Sequence, residues 1–322
     1  MMFKISKGKN NAFPATKQLY PLPCNKGPYI WDKTQHFEGI GSEFQWHKAS
    51  FIAAHLIQGK WIGNLTHGHH MKNGDQSIFF GLSYTHCDEN SLNIYKDLHP
   101  DRFLYVPHNE IFAYVASLTK NQISTNSVFV FEWEQLDESH NYVVFDTNFR
   151  TRYHQQRLNR HTPKRKPDEF WVSIHFRWGD VETSDPNQPD QRSGLGFTDY
   201  CSCVNQIKKI KSQAKIYFFA ENFRHPELCP TFVSNDSFYF FNDSVNWKRD
   251  LDIMSQSQLL LGGSSSFVVL GAHLCENCTI IHNSEIKFRK SDYEKTLPTH
   301  LNEFYCDNNL SCFLDRIKRS LL

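Results

Sequence analysis

The chain has no hydrophobic run that approaches the roughly 18 residues of a membrane-spanning helix. Residues 1–9 carry charges but no apolar segment follows them, so no signal peptide is predicted. The chain also lacks a surplus of one charge, since 35 Lys and Arg stand against 34 Asp and Glu. Nucleic acid is therefore not the expected partner, because phosphate binding needs a basic excess.

Internal repeats and long low-complexity segments are also absent. Aromatic residues make up 15% and charged residues 21% of the chain, a composition that excludes disorder, collagen and coiled coil. A chain of 322 residues can bury a sizeable core. At about 150 residues per domain, two domains are predicted.

One basic segment, Arg157–Glu169, contains two prolines and shows no apolar periodicity. We interpret it as a linker between an N-terminal α/β domain, residues 1–160, and a C-terminal Rossmann-like domain, residues 161–322. A solvated basic loop within a single domain is the alternative.

The second half alternates strand-like and helix-like segments. Predicted strands are Phe170–Phe176, Ile216–Ala220, Phe238–Phe241, Leu259–Leu261 and a last one at Thr279–Ile281, and predicted helices are Phe197–Ile210 and Phe267–Leu274. Such alternation predicts an α/β fold with a mostly parallel sheet, whose ligands bind at the carboxyl ends of the strands. The first half shows a looser α/β pattern, with a helix at Phe44–Ile57 and strands at Val128–Phe131 and Tyr142–Phe145.

Arg177 and Asp180 follow the first predicted strand of the second half, within His175-Phe-Arg177-Trp178-Gly-Asp180. An arginine at the end of a parallel strand can bind a phosphate through two parallel hydrogen bonds. An Arg–Asp pair that closes the turn is the alternative.

Gly262-Gly263-Ser264-Ser265-Ser266 follows another predicted strand and precedes a helix. Helix N-termini offer unpaired N–H groups and the positive end of a dipole, and serines add hydroxyl donors. This combination suits a diphosphate bound without a metal. In the alternative, Ser266 is an ordinary N-cap.

These motifs resemble those of the α1,2-fucosyltransferases. Residues 175–180 resemble their His-x-Arg-Arg-Gly-Asp motif, and residues 250–255 with 265–274 resemble their Asp-x-x-Leu-Met-Ser and Ser-Ser-Phe-x-x-x-Gly-Ala-x-Leu segments. The stretch 39–43, Gly-Ile-Gly-Ser-Glu, resembles the Gly-x-Gly-Asn-Gln turn of the wider superfamily, which includes the α1,6- and protein O-fucosyltransferases. The match covers roughly residues 170–285 and that turn.

The resemblance implies a GT-B fold, two Rossmann-like domains with a cleft between them, and inverting transfer of L-fucose from GDP-fucose to a glycan, with the 2-hydroxyl of galactose as the expected acceptor site. It implies no metal and no other cofactor. The implied donor-binding residues are His175, Arg177, Glu221, Asn222, Asp250, Ser264, Ser265 and Ser266. The resemblance also implies that the C-terminal domain binds the donor, that the N-terminal domain lies on the acceptor side, and that Arg177 is catalytic at the β-phosphate. The acceptor hydroxyl needs a general base, for which the sequence offers Asp180, Glu43 and Glu182 without singling one out, and a structural role is the alternative for each. The N-terminal turn contributes Gly39, Gly41 and Ser42. A related inverting transferase with another nucleotide sugar or a protein acceptor, and a catalytically silent binding protein, are the alternatives.

The chain departs from the family pattern at three kinds of position. Trp178 stands where the α1,2 family has a second arginine, Ser42-Glu43 replaces Asn-Gln, and Val269 and Leu270 replace two tryptophans. The protein O-fucosylating relatives also lack that arginine. Trp178 is expected either to stack on a ligand ring or to pack in the core.

Cysteines and sequons bear on the compartment. The nine cysteines include a Cys275-x-x-Cys278 pair and a Cys306/Cys312 pair, for which disulfides or plain thiols are expected rather than zinc. Residues 67–70, His-Gly-His-His, are interpreted as a polar surface loop, with a metal tract as the alternative. Sequons at Asn64, Asn235, Asn242, Asn277 and Asn309 and the family resemblance favour the secretory lumen. Without a leader or anchor in the sequence, the cytoplasm stays open.

Overall fold

The computed structural model describes residues 27–32, 50, 54, 57–63, 79–80, 89–106, 127–131, 147–178, 187, 194–221, 223, 237–241, 246–283 and 301–322. The strand predicted at Tyr142–Phe145 lies outside these residues, and the helix predicted at Phe44–Ile57 is described only in part, with Ser50 and Ala54 helical.

The first half contributes a four-stranded parallel sheet. Its strands are β1 (Tyr29–Asp32), β2 (Lys60–Gly63), β3 (Phe103–Tyr105) and β4 (Val128–Phe131), in the order β2-β1-β4-β3, and helix α1 (Glu89–Leu98) precedes β3. All four residues of β4 are buried, as its unbroken Val-Phe-Val-Phe run predicts for a parallel strand covered on both faces. We refer to this sheet with its helix as the first unit.

The second half contributes a six-stranded parallel sheet with helices on both faces, which we call the second unit. Strands β5–β10 are Trp171–Phe176, Lys215–Ala220, Phe238–Phe241, Leu259–Gly262, Cys278–His282 and Leu301–Tyr305, and helices α2–α6 are Thr147–Leu158, Phe197–Ile210, Trp247–Met254, Ser266–Leu274 and Leu310–Leu321. All strand pairs are parallel, in the order β10-β9-β8-β5-β6-β7. The predicted α/β fold with two Rossmann-like units is confirmed.

The prediction that Thr279–Ile281 forms the last strand is wrong, because β10 pairs in parallel beyond β9. In β10 only Leu301 is buried, and the other four residues are half-buried or exposed. An edge strand needs little apolar sequence, so Leu-Asn-Glu-Phe-Tyr carries a weak signal.

Strand β5 sorts its side chains between two layers with the period of two that a strand imposes. Val172, Ile174 and Phe176 pack with residues of α3 and α6. Trp171 packs with residues of α4 and α5 on the opposite face, and on that face the Ser173 hydroxyl lies 2.8 Å from that of Ser257. The same alternation predicts which face of the sheet Arg177 and Trp178 lie on, directly after β5.

The strand order of the second unit reverses direction between β5 and β8, because β6 and β7 extend to one side of β5 and β8, β9 and β10 to the other. In doubly wound sheets, ligands bind at such a switch point, outside the carboxyl ends of the strands. The fold therefore selects the ends of β5 and β8 as the position for a site.

Helix α2 lies before the predicted boundary at residue 160 but packs against helices of the second unit. The Tyr153 hydroxyl donates to Asp252 of α4 at 2.7 Å, and the His154 imidazole Nε2 donates to the Leu274 carbonyl at the end of α5 at 2.8 Å. Arg157 donates to Nδ1 of His154, and burial, together with the Arg157 charge, lowers the pKa of that histidine. The imidazole is therefore neutral with its proton on Nε2.

The segment interpreted as a linker begins within α2, whose last two residues are Arg157 and Leu158. Its remaining residues bind α4 and its C-terminal end: Thr162 donates to Asp252 and the Arg165 amide donates to Gln256. The connection is thus attached to the second unit by specific hydrogen bonds, and the domain boundary at residue 160 stays a prediction.

Candidate functional site

Arg177 directly follows β5 and lies at the switch point. Its Nη1 donates to the Ser264 carbonyl, which follows β8, at 3.3 Å. The two residues meet because β5 and β8 are neighbours, with His175 paired to Gly262. The His-x-Arg spacing places His175 on the same face as Arg177, where its ring centroid lies 5.6 Å from that of Phe267.

The turn after β8 leads into the N-terminus of α5. Ser265 is the N-cap and its side chain makes no capping hydrogen bond, so the alternative in which Ser266 caps the helix does not hold. The amides of the first helical turn and the positive end of the helix dipole therefore point toward the carboxyl edge of the sheet. A side chain at Gly262 would place its Cβ 2.9 Å from Val268, so glycine permits this close turn.

The segment that leads into α3 crosses the same turn. Gly194 has φ of +80°, which favours glycine. A Cβ there would lie 2.8 Å from the Gly263 Cα and 3.1 Å from the Asn283 Oδ1. The backbone at Gly194 therefore packs directly against Gly263 in the turn after β8, with no room for a side chain between them.

Two predicted acidic residues lie at this edge. Glu221 follows Ala220, whose Cα is paired with that of Phe176, so Glu221 and Arg177 follow paired residues of neighbouring strands. Asp250 lies in the first turn of α4 and is buried, and its Oδ1 is 2.7 Å from Arg249 Nη2. The Arg249 guanidinium in turn lies 4.1 Å from the ring centroid of Phe241, at the end of β7. The roles of Glu221 and Asp250 toward a donor stay predictions.

The structure thus brings together the strand-end and helix-end part of the predicted site. The remaining predicted residues lie outside the described part of the chain: Gly39, Gly41, Ser42, Glu43, Asp180, Glu182 and Asn222. The histidine tract at 67–70 also lies outside it. The described residues therefore include the part of the site that is predicted to bind an anion, and both that role and the general base stay predictions.

The departures from the family pattern in the second unit lie in the core. Trp178 is 4% exposed, and its ring stacks on Phe176 at 5.4 Å with an interplanar angle of 24°. It also meets Phe223 edge to face at 5.4 Å. Val269 and Leu270 are buried as well. Of the two expectations for Trp178, packing in the core is the one observed.

Sequence reasoning missed Asp252. Its side chain is fully buried and accepts hydrogen bonds from Tyr153, Arg160 and Thr162. Burial raises the pKa of the Asp252 carboxyl. The charge of Arg160 lowers that pKa and offsets part of the rise. Burial and the neighbouring Asp252 charge raise the pKa of Tyr153 well above its usual value. The sequence shows only an acid two residues after Asp250, which gives no sign of burial.

Cys306 and Cys312 form a disulfide between β10 and α6, as one of the sequence expectations allows. Cys275 and Cys278 are buried thiols, and Cys275 donates to the Met254 carbonyl at 3.2 Å. Within the described ranges, no group of three or more His, Cys, Asp or Glu side chains is arranged to hold a metal ion.

A pocket lined by Phe170, Leu259, Cys278, Thr279 and Leu321, among others, lies at the amino ends of the strands. It is on the edge of the sheet opposite Arg177, and its lining holds no Asp, Glu, His, Lys or Arg side chain. The pocket and the predicted site residues therefore lie at opposite edges of the sheet. We favour the carboxyl edge as the position of the functional site, because the charged and polar side chains converge there.

No protein-family model matches the chain, and no curated protein matches it either. Solved structures do resemble it. A family 9 glycosyl transferase from Veillonella parvula is 9% identical over 91% of this chain and 96% of its own, with a TM-score of 0.43. The ADP-heptose LPS heptosyltransferase II of E. coli is 8% identical over 91% of this chain and 98% of its own, with a TM-score of 0.44.

The fucosyltransferase NodZ from Bradyrhizobium is 11% identical over 81% of this chain and 96% of its own, with a TM-score of 0.38. At this level of identity and superposition, the likeness does not extend to activity or substrate. None of the helices among the described residues combines the length and apolar character that a bilayer crossing requires.

Proposed function

We propose that this chain is an inverting glycosyltransferase that transfers L-fucose from GDP-fucose to a glycan hydroxyl, with the 2-hydroxyl of galactose as the first acceptor to test. The observation that carries the proposal is the position of Arg177 beside the N-terminal turn of α5, at the switch point of a doubly wound sheet.

This arrangement suits a diphosphate. A guanidinium can hold two phosphate oxygens at once, and the amides of a helix N-terminus bind the anion with their dipole aligned. The half-buried Ser264 and Ser266 and the buried Ser265 lie in the same turn and can add hydroxyl donors. Because these groups supply hydrogen-bond donors to the diphosphate, we propose that it binds without a metal.

In the proposed reaction, the acceptor oxygen attacks the anomeric carbon of fucose while the bond from that carbon to the β-phosphate oxygen breaks. The acceptor proton passes to a general base, for which Asp180, Glu182 and Glu43 are the candidates, and GDP leaves with the bonding electron pair. Negative charge grows on the β-phosphate as the bond breaks. Arg177 therefore stabilises the transition state more than the ground state, which accelerates transfer.

The choice of GDP-fucose rests on the fucosyltransferase-like motifs around His175, Arg177 and Ser265. The guanine ring presents two adjacent hydrogen-bond donors on one edge. A carboxylate suits this edge because it only accepts hydrogen bonds. Asp250, Glu221 and Asn222 are the proposed partners of the guanosine. Arg249 would orient the Asp250 carboxylate, since both its Nε and its Nη2 contact Oδ1.

Ligand-dependent thermal stability in EDTA tests the donor. GDP, GDP-fucose, UDP and UDP-sugars are each added at saturating concentration, and a ligand at 100 times its Kd stabilises by about 2.7 kcal/mol. Stabilisation by GDP and GDP-fucose alone is expected. Stabilisation by another nucleotide sugar would instead favour a related inverting transferase, and no stabilisation by any nucleotide would contradict the proposal.

Replacing Arg177 with alanine tests catalysis. Transfer from GDP-fucose is expected to fall at least about 100-fold, as for removal of a group that stabilises developing charge. The urea midpoint should stay unchanged, because the guanidinium lies at the surface edge of the fold. Arg165→Ala is the matched control, since the Arg165 guanidinium donates to the Glu169 carbonyl at the opposite edge.

A fully active Arg177→Ala enzyme would overturn the assignment of the donor site. GDP binding to the wild-type chain without turnover on any glycan or protein acceptor would favour a catalytically silent binding protein.

A further inference from the structure

The Arg160 guanidinium contacts both halves of the chain. Its Nη1 lies 2.5 Å from the Asp252 carboxylate of α4, and its Nη2 donates to the carbonyl of Phe79. Its Cζ lies 3.8 Å from the ring centroid of Phe79 and 5.4 Å from that of Tyr153. One side chain thus makes an ion pair within the second unit and a hydrogen bond with a stacking contact to the first half.

The Asp252 end of this arrangement is rigidly held. The carboxylate is fully buried, and Tyr153 and Thr162 donate to its two oxygens at 2.7 and 3.1 Å. A buried charge with three donors has little freedom to reorient. Arg160 is therefore anchored on the second unit, while its other face is directed to Phe79.

The Phe79 end belongs to an aromatic cluster that joins the halves. Phe79 meets Trp247 of α4 at 4.9 Å and Tyr153 of α2 at 5.5 Å, both edge to face. The neighbouring Phe80 lies 6.0 Å from Tyr153. Phe79 is 3% exposed and Phe80 is fully buried, so these contacts are dry.

This position requires an arginine. A planar guanidinium presents separate N–H groups in a fixed fork and stacks on aromatic rings, whereas a lysine has one compact ammonium group. Lysine could keep the pair with Asp252 but could not also reach the Phe79 carbonyl and lie flat on its ring.

From these contacts we infer that Arg160, together with the aromatic contacts of Phe79, fastens the first half of the chain to the second unit. Because Asp252 and Trp247 both lie on α4, the fastening acts on the helix whose first turn carries Asp250. The inference goes beyond the proposed function and does not depend on it, because it concerns contacts that form without any ligand.

Hydrogen exchange of the full-length chain without ligand tests the inference. In Arg160→Lys, exchange of the peptide that contains Phe79 and Phe80 is expected to accelerate at least tenfold, while peptides from β5 and β8 keep their wild-type rates. Arg165→Lys is the matched control, since that guanidinium donates within the second unit to the Glu169 carbonyl, and both sets of peptides should stay unchanged.

Unchanged exchange at Phe79 and Phe80 would overturn the inference. An equal acceleration in β5 and β8 would also overturn it, because Arg160 would then support only the fold of the second unit. If Arg160→Lys does not fold, Phe79→Leu decides: acceleration confined to the peptides around Phe79 and Trp247 supports the fastening, and no acceleration excludes it.

Discussion

Two carboxylates of the second unit have pKa values shifted in opposite directions. Glu169 accepts hydrogen bonds from Lys215 at 2.6 Å and from the Trp171 indole at 2.8 Å, and these bonds, chiefly that from Lys215, lower its pKa to about 2. Burial raises the pKa of Asp252 because its desolvation outweighs its three donors. The difference follows from the surroundings: Glu169 keeps some contact with water, and Asp252 has none.

Replacing Glu169 with glutamine should lower the free energy of unfolding at pH 7 by roughly 1 kcal/mol, since the pair with Lys215 is partly exposed to solvent. A carboxylate with a lowered pKa stabilises the fold above its unfolded pKa of about 4.5, and this contribution is lost as the pH falls toward 2. Because pH 3 lies between these two values, the difference between the two proteins in urea titrations should be smaller at pH 3 than at pH 7. A difference that is the same at both values would contradict this origin.

Asp252→Asn should destabilise the protein by about 3 kcal/mol, because it leaves the Arg160 charge without its buried partner. The control is Asp315→Asn in α6, whose pair with Arg319 is 49% and 64% exposed and is worth little. Urea unfolding of both variants at pH 7 measures the contrast. Similar small effects in both would show that the Asp252 cluster adds no stability.

At the scale of the element, α5 packs closely against α4 because Gly271 has no side chain. A Cβ at this position would lie 2.8 Å from the Cβ of Met254, an atom fixed to the backbone of α4. Gly271 therefore sets the separation of the two helices that flank the switch point.

Gly271→Ala should reduce the free energy of unfolding by about 1–3 kcal/mol, although alanine is the better helix former by about 1 kcal/mol, because overpacking must move one helix. Gln155→Ala, at an exposed position of α2, is the control and should change stability by less than about 0.5 kcal/mol. Thermal unfolding compares the two variants. A stabilised Gly271→Ala would mean that the helices separate without cost.

The sequence predicts the central elements of the second unit well. Strand β8 begins with the unbroken apolar run Leu259–Leu261, and such a run needs both faces covered, whereas β5 is apolar except for Ser173 and His175. The Gly-rich turn before α5 and the arginine after β5 are local features, so their meeting at the carboxyl edge could be predicted as well. Edge strand β10 could not, because burial on one face leaves little constraint on its residues.

At the scale of the whole molecule, the contacts between distant segments were not predictable. Tyr153 and Asp252 are 99 residues apart, and Phe79 and Arg160 are 81 residues apart. Neither pair follows from periodicity, because a tyrosine on a helix and an arginine just after one are both compatible with exposure. Only the tertiary arrangement shows that α2 and residues 159–162 bind the second unit.

The contact between Phe79 and Trp247 should be measurable as an energetic coupling across the two halves. Phe79→Leu and Trp247→Leu, singly and together, form a double-mutant cycle. The coupling free energy is expected to be about 0.5–1.5 kcal/mol, as for other edge-to-face aromatic pairs. Additive effects would show that the two rings do not stabilise each other.

The strand order of the second unit also determines when the candidate site can form during folding. Arg177 and Ser264, which meet across the switch point, are 87 residues apart in the chain. The entropy cost of closing a loop of that length arises before the β5–β8 contact can stabilise the chain, and such non-local pairing slows folding. A refolding chain should consequently form the contact between Arg177 and the turn after β8 late, after β6 and β7 have assembled on β5.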